Sequence, residues 1–170
     1  RSQALQVLHS LAKRDPAIAG KIVRAARNVL KRTDPGELAN RLYAGFTAIT
    51  NEWFYAEYSA RTFRHYEHEV DVAYDIIREE FESYLQEVEK FRRLGYADEE
   101  LTALMGIVLG LYRYDRDPQT DFYSYVEDSI RDFAEESIRM WKDHHPDDTE
   151  RAADLNRFLK EQCQKWDLTL

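Results

Sequence analysis

One cysteine, four prolines and six glycines in 170 residues are a sparse supply of the residues that cross-link, break or bend a chain. With Cys163 alone, no intrachain disulfide can form and no cysteine-based zinc cluster is available, which fits a reducing, cytoplasmic compartment. Long hydrophobic runs are missing too. The longest, Ala103 to Tyr112, holds two glycines and is far too short to span a bilayer, so no membrane partner is expected. No signal peptide is visible, and the first residue is Arg rather than Met, as in a trimmed or excised piece of a longer chain. Few breakers and 33% charged residues lean the composition to helix, and eleven Tyr, eight Phe and three Trp supply a large core. A chain of this size fits one domain, 1–170, that buries roughly two thirds of its unfolded surface.

What the chain does have is charge sorted by position. Residues 1–33 carry eight basic side chains against one acid, Asp15, a net of +7, whereas the remainder carries 16 basic and 31 acidic groups, a net of −15. Such asymmetry marks a surface that meets something charged: another part of the same chain, a partner protein or a polyanion. The overall charge of −8 works against nonspecific nucleic-acid binding by the molecule as a whole.

Helix signals recur along the chain. Asp15-Pro16 and Asp34-Pro35-Gly36-Glu37 each read as an N-cap followed by Pro at the first helical position, with Glu37 at the capping-box place. Leu5, Leu8, Leu11 and Ala12 give the first helix its buried side. In the second, Ile18, Ile22, Ala25, Ala26, Val29 and Leu30 form a stripe opposite Lys21, Arg24, Asn28 and Lys31. The third, from Pro35 to Ile49, buries Leu38, Leu42, Phe46 and Ile49. Residues 50–67 resist assignment: Asn51 looks like a cap, but the aromatics fall almost all round the wheel, which predicts deep burial or irregular backbone. From Glu69 the spacing of Val70, Tyr74, Ile77, Phe81, Tyr84, Val88 and Phe91 predicts a long helix with an a/d seam, ended by Gly95 at the left-handed C′ position. Asp98 is the expected cap of the next helix, and a loop of 113–120 follows. A helix from Asp121 to Lys142, broken near Asp128-Ser129, and a last one carrying Leu155 and Leu159 complete the chain. The fold class is all-α, with seven to eight helices in antiparallel hairpins. They form a compact helical bundle or a short degenerate helical-repeat (α-α superhelix) array, the hairpins at 8–26 and 138–155 being the hint of recurrence.

Candidate chemistry is thin. His65, His68 and Glu69 offer imidazole and carboxylate within one helical turn, the ligand types of zinc or non-haem iron, but without a two-helix Glu-x-x-His pair or H-E-x-x-H. The acidic runs Glu79-Glu80-Glu82, Glu99-Glu100 and Glu135-Glu136 sit on polar faces, where solvation is the rule, and His144-His145 falls in an exposed break. Gly106 and Gly110, one turn apart in an apolar helix, predict close approach by a neighbouring backbone. Tyr112, Arg113, Tyr114 and Arg116 bracket the loop with the aromatic-plus-arginine composition of protein interfaces. The basic face of Lys21, Arg24 and Lys31, with Arg27 and Arg32 near it, is the second interaction candidate.

The resulting expectation is a noncatalytic helical interaction or scaffold module with a basic N-terminal helix face and an acidic body, needing no cofactor. Its partner is a protein, its own chain or a second copy. The alternatives are an accessory domain touching nucleic-acid phosphates through the basic helix, and a metal- or small-ligand-binding helical protein centred on His65, His68 and Glu69.

Overall fold

In the computed structural model, residues 2–30, 34–62 and 68–168 are described, with side chains from residue 6 to 25 and from 34 onward in those ranges. Among them the structure is all-helical, with no strand. The chain divides into two compact units, Arg1–Thr33 and Asp34–Leu170, at the residue where its charge changes sign.

The first unit is a helical hairpin of α1 (Ser2–Arg14) and α2 (Pro16–Leu30). Asp15 makes the bend: its carboxylate accepts from the Ala17 N–H at 2.8 Å and more weakly from Ile18 at 3.4 Å, while Pro16 has no N–H to leave unsatisfied. Ala12, Ile18 and Ile22 are half-buried, whereas Leu8 and Leu11 stay 44% and 41% exposed rather than forming the buried side expected of them. Two short helices meet along one line, and a hairpin has no third layer to cover the rest. The Leu5, Ala26, Val29 and Leu30 side chains lie outside the described residues.

The second unit is a bundle built on one central helix. Its elements are α3 (Pro35–Thr47), α4 (Asn51–Thr62), α5 (Glu69–Arg93), α6 (Ala97–Arg116), a 3₁₀ turn (Asp121–Tyr125), α7 (Glu127–His144) and α8 (Thr149–Gln162). Helix α6 packs against α3, α5, α7 and α8. That arrangement is a bundle rather than a repeat array, in which each hairpin would touch only its neighbours. The α7–α8 pair is no repeat unit either, since α8 packs on α6. Nearly every residue of α6 from Leu101 to Leu111 is buried, so the chain's most apolar run becomes its core helix.

The α3–α6 crossing explains the two glycines. A Cβ on Gly106 would lie 2.8 Å from Leu38 Cβ and 2.9 Å from the Pro35 carbonyl oxygen. One on Gly110 would lie 3.0 Å from the Ala39 carbonyl. The backbones therefore approach too closely for any side chain to stand between them. Asp34 caps α3 through the Gly36 N–H at 2.8 Å, setting Leu38, Ala39, Leu42 and Phe46 on the buried face.

Helix α4 answers the ambiguity of 50–62 in a third way. It is regular, capped by Thr50 rather than Asn51 (Thr50 Oγ1 accepts the Trp53 N–H at 3.2 Å), and Phe54 alone is buried. Because α4 packs chiefly against α5 and the 3₁₀ turn, one side is covered and Trp53 and Tyr55 remain 47% and 43% exposed.

The α5 seam is shifted at its start. Val70 and Tyr74 are exposed, and Val72, Ala73, Ile76 and Ile77 carry the burial there, while Phe81, Val88 and Phe91 lie inside as the spacing predicts. A straight helix drifts from a 3.5-residue seam by roughly 20° per heptad, so a single a/d line does not stay buried along all of α5. The helix closes in a Schellman motif: Gly95 at φ 69°, its N–H on the Arg92 carbonyl at 3.0 Å and the Tyr96 N–H on Phe91 at 3.0 Å. So short a link starts α6 at Ala97 with Tyr96 in the cap position, so Asp98 lies inside the helix and binds Arg151 at 2.8 Å instead of capping. The break before α7 falls at Val126, two residues ahead of the one expected.

Candidate functional site

On the hairpin, Lys21 and Arg24 are exposed on α2; the Arg27 side chain and Lys31 and Arg32 lie outside the described residues. The hairpin's only acid, Asp15, caps α2, and among the described residues no ion pair meets Lys21 or Arg24.

The loop candidates are largely consumed by the fold. Tyr114 is fully buried, with its ring edge-on to Phe46 at 5.3 Å and to Tyr123 at 5.5 Å, so it has no surface to offer a partner. Burial pushes its phenol up to about 12, the Thr120 hydroxyl drawing the other way, yet neither hydroxyl meets hydrogen-bond geometry. Tyr112 is half-buried edge-on to Trp166 at 5.2 Å, and Arg113 donates to Asn40. Only Arg116 of the four is exposed. Asp115 between them accepts from the Tyr123 hydroxyl at 2.8 Å and from the Trp166 indole N–H at 3.0 Å, tying loop and C-terminal tail to the end of α6. The Tyr123 phenol is pushed up first by burial and then by Asp115.

His65 lies outside the described residues, while His68 is the exposed N-cap of α5 and Glu69 its exposed first residue. No three His, Cys, Asp or Glu among the described residues converge to hold a metal. Cys163 is buried, and burial pushes its thiol up to about 12, which keeps it protonated and non-nucleophilic.

The carboxylates hold the main surprise. Glu99 and Glu100 are buried, not solvated. Glu100 Oε1 accepts from Arg92 Nε at 2.9 Å, and His145 Nε2 lies 3.1 and 3.2 Å from its two oxygens. An acceptor-only carboxylate requires His145 to carry its proton on Nε2. The His145 ring also stacks on Trp141 at 5.0 Å. Neighbouring His144 shows the opposite tautomer: Nδ1 donates to the Met140 carbonyl at 2.7 Å, leaving Nε2 to accept from Arg92 Nη1 at 3.4 Å. The end of α5, the start of α6 and the end of α7 are thereby locked by one charge-assisted cluster. The cluster ties three helix ends to one another through a single buried carboxylate. Sequence reasoning missed it because the partners come from three helices; the hint available was Arg92 closing one helix eight residues before Glu100 opens the next.

Farther along, Arg78 grips Glu136 with both guanidinium ends at 2.7 and 3.0 Å, and Phe81 stacks on Phe133 at 4.7 Å. Between this pin and the Glu100 cluster, α5 and α7 diverge around a groove of about 390 Å³ floored by Leu104, Val88 and Met140.

Fold and sites together define an all-α bundle joined in sequence to a basic helical hairpin, without a recognisable catalytic centre among the described residues. Compared with known proteins, the chain matches no family model, no curated protein and no solved structure. No helix among the described residues is long and apolar enough to cross a membrane.

Proposed function

We propose that the protein is a noncatalytic interaction module whose basic hairpin engages an acidic protein surface. One observation carries this reading: the change of charge sign and the boundary between compact units fall at the same residue, Thr33. Positive charge is thus gathered on a two-helix element that also leaves Val7, Leu8, Leu11 and Val23 exposed. Basic side chains steer an acidic partner in, and apolar ones give the contact its hydrophobic burial. The cytoplasm suits a chain whose one thiol is buried and protonated.

A comparison of captured partners between the wild type and a Lys21→Glu/Arg24→Glu/Lys31→Glu variant tests it. Loss of acidic partners is expected, and an unchanged partner set rules out a role for this face. Binding of a random oligonucleotide that weakens steeply between two salt concentrations would instead favour phosphate contact.

A further inference from the structure

A second site stands out in the acidic bundle, at the run of acids in the first half of α5. A cleft of about 380 Å³ opens between the last turn of α3, the start of α4 and the middle of α5. Gly45, Ala48 and Ile49 form one side, Trp53 another, and Ile76, Glu79 and Glu80 the third. Trp53 is the exposed tryptophan of the chain, since Trp141 and Trp166 are both buried.

Glu80 is unlike the acids around it. Glu79, Glu82, Glu87 and Glu89 each meet an arginine, from Arg61, Arg78, Arg41 and Arg93. Glu80 meets no cation among the described residues. Its Oε1 accepts from the Tyr84 hydroxyl at 3.0 Å, and that single proton is shared with the Arg41 carbonyl at 3.1 Å. The carboxylate is half-buried and pressed against the α3 backbone, for a Cβ on Gly45 would lie 2.6 Å from Oε1. Nearby Arg61 does not compensate it, because that guanidinium already serves both Glu57 and Glu79.

Three independent effects therefore favour positive charge in one small space. A carboxylate that meets no cation among the described residues is half-buried where water screens it less. An indole attracts cations through its quadrupole. The C-terminal end of α3, whose last turn lines the cleft, carries the negative pole of that helix. The apolar floor of Ile49 and Ile76 suits an aliphatic stem behind a charged head.

We propose that this cleft binds an organic cation, an alkylammonium or the like, either as a free amine or as a lysine side chain of a partner. The proposal is independent of the hairpin.

The test is titration of the intact protein while following the Trp53 indole N–H resonance. The probes are n-butylammonium, with neutral 1-butanol as its control, and the peptide Ala-Lys-Ala, with its Nε-acetylated form as control. Saturable shifts with the charged probes and none with the neutral ones are expected. Calorimetry should show Glu80→Gln and Trp53→Phe each weakening binding by about tenfold while circular dichroism stays unchanged. Binding of butylammonium alone assigns the cleft to small amines, and tighter binding of the peptide assigns it to a basic side chain. Absence of a saturable shift with both charged probes, equal response to the neutral controls, or undiminished binding by Glu80→Gln would each overturn the assignment.

Discussion

Val23 on α2 and Val72 on α5 are the same side chain in the same secondary structure, yet one is 53% exposed and the other 1%. The difference lies in the number of layers around each. Val72 belongs to a unit in which one central helix collects four others, whereas among the described side chains of the hairpin none is buried. Helix periodicity reports which face is apolar; only a third element decides whether that face leaves water. The bundle therefore buries its apolar faces within itself, whereas the hairpin leaves Val7, Leu8, Leu11 and Val23 exposed.

Substitutions in the two units should expose this contrast. Phe46→Ala removes a fully buried ring that contacts Tyr84 and Tyr114, and should lower stability in chemical denaturation by about 3–5 kcal/mol. Glu100→Ala leaves Arg92 and His145 without their carboxylate. A loss of about 3 kcal/mol is expected, at the low end for a broken buried pair because Arg92 still reaches solvent at 20% exposure. The same Gly→Ala change should have opposite signs in the two units. At Gly106 the clash with Leu38 and the Pro35 carbonyl outweighs the gain in helix propensity, for a net loss of about 1 kcal/mol. At Gly20, where an added Cβ meets nothing within 4 Å, Ala should stabilise α2 by up to about 1 kcal/mol, read as increased amide-exchange protection.

The buried thiol supplies a pH test of the bundle. Burial pushes it up to about 12, above the ordinary thiol value of 9.0, so the folded state holds the proton more tightly. This contribution is fully present below about 9 and is lost as pH rises toward 12. Alkylation of Cys163 at neutral pH should accordingly proceed only as fast as the bundle opens. Smallest of all should be Leu11→Ala on the hairpin, within about 0.5 kcal/mol. A loss as large as that of Phe46→Ala would break the contrast, by showing that Leu11 is covered in solution.

Features encoded locally were legible in the sequence. Asp15, Asp34 and Gly95 act within a few residues of themselves, and each does in the structure what its spacing implies. Gly106 and Gly110 likewise announced the close approach of another backbone, though not that their helix would be the central one. What escaped depends on which helices become neighbours. Val70 and Tyr74 continue the seam in sequence but lie exposed, because Val72, Ala73 and Ile76 carry the burial in the first turns of α5. Tyr114 looks like a loop-flanking interface residue until Phe46, 68 positions earlier, is seen to pack on it. Glu100 reads as one of many surface acids, and only Arg92 and His145 reveal that it is held inside.

The pairing of α3 with α6 also bears on the order in which the molecule can assemble during synthesis. Of the pairings in the bundle this is the most extensive, yet α6 is completed about 70 residues after α3. At roughly 5–20 residues per second, Leu38, Leu42 and Phe46 wait several seconds for the helix that covers them. Helix α5 arrives sooner but meets α3 less extensively, so the nascent chain carries an uncovered apolar helix through much of its elongation. Completion of the bundle core is thus timed by the emergence of α6, the helix that covers α3.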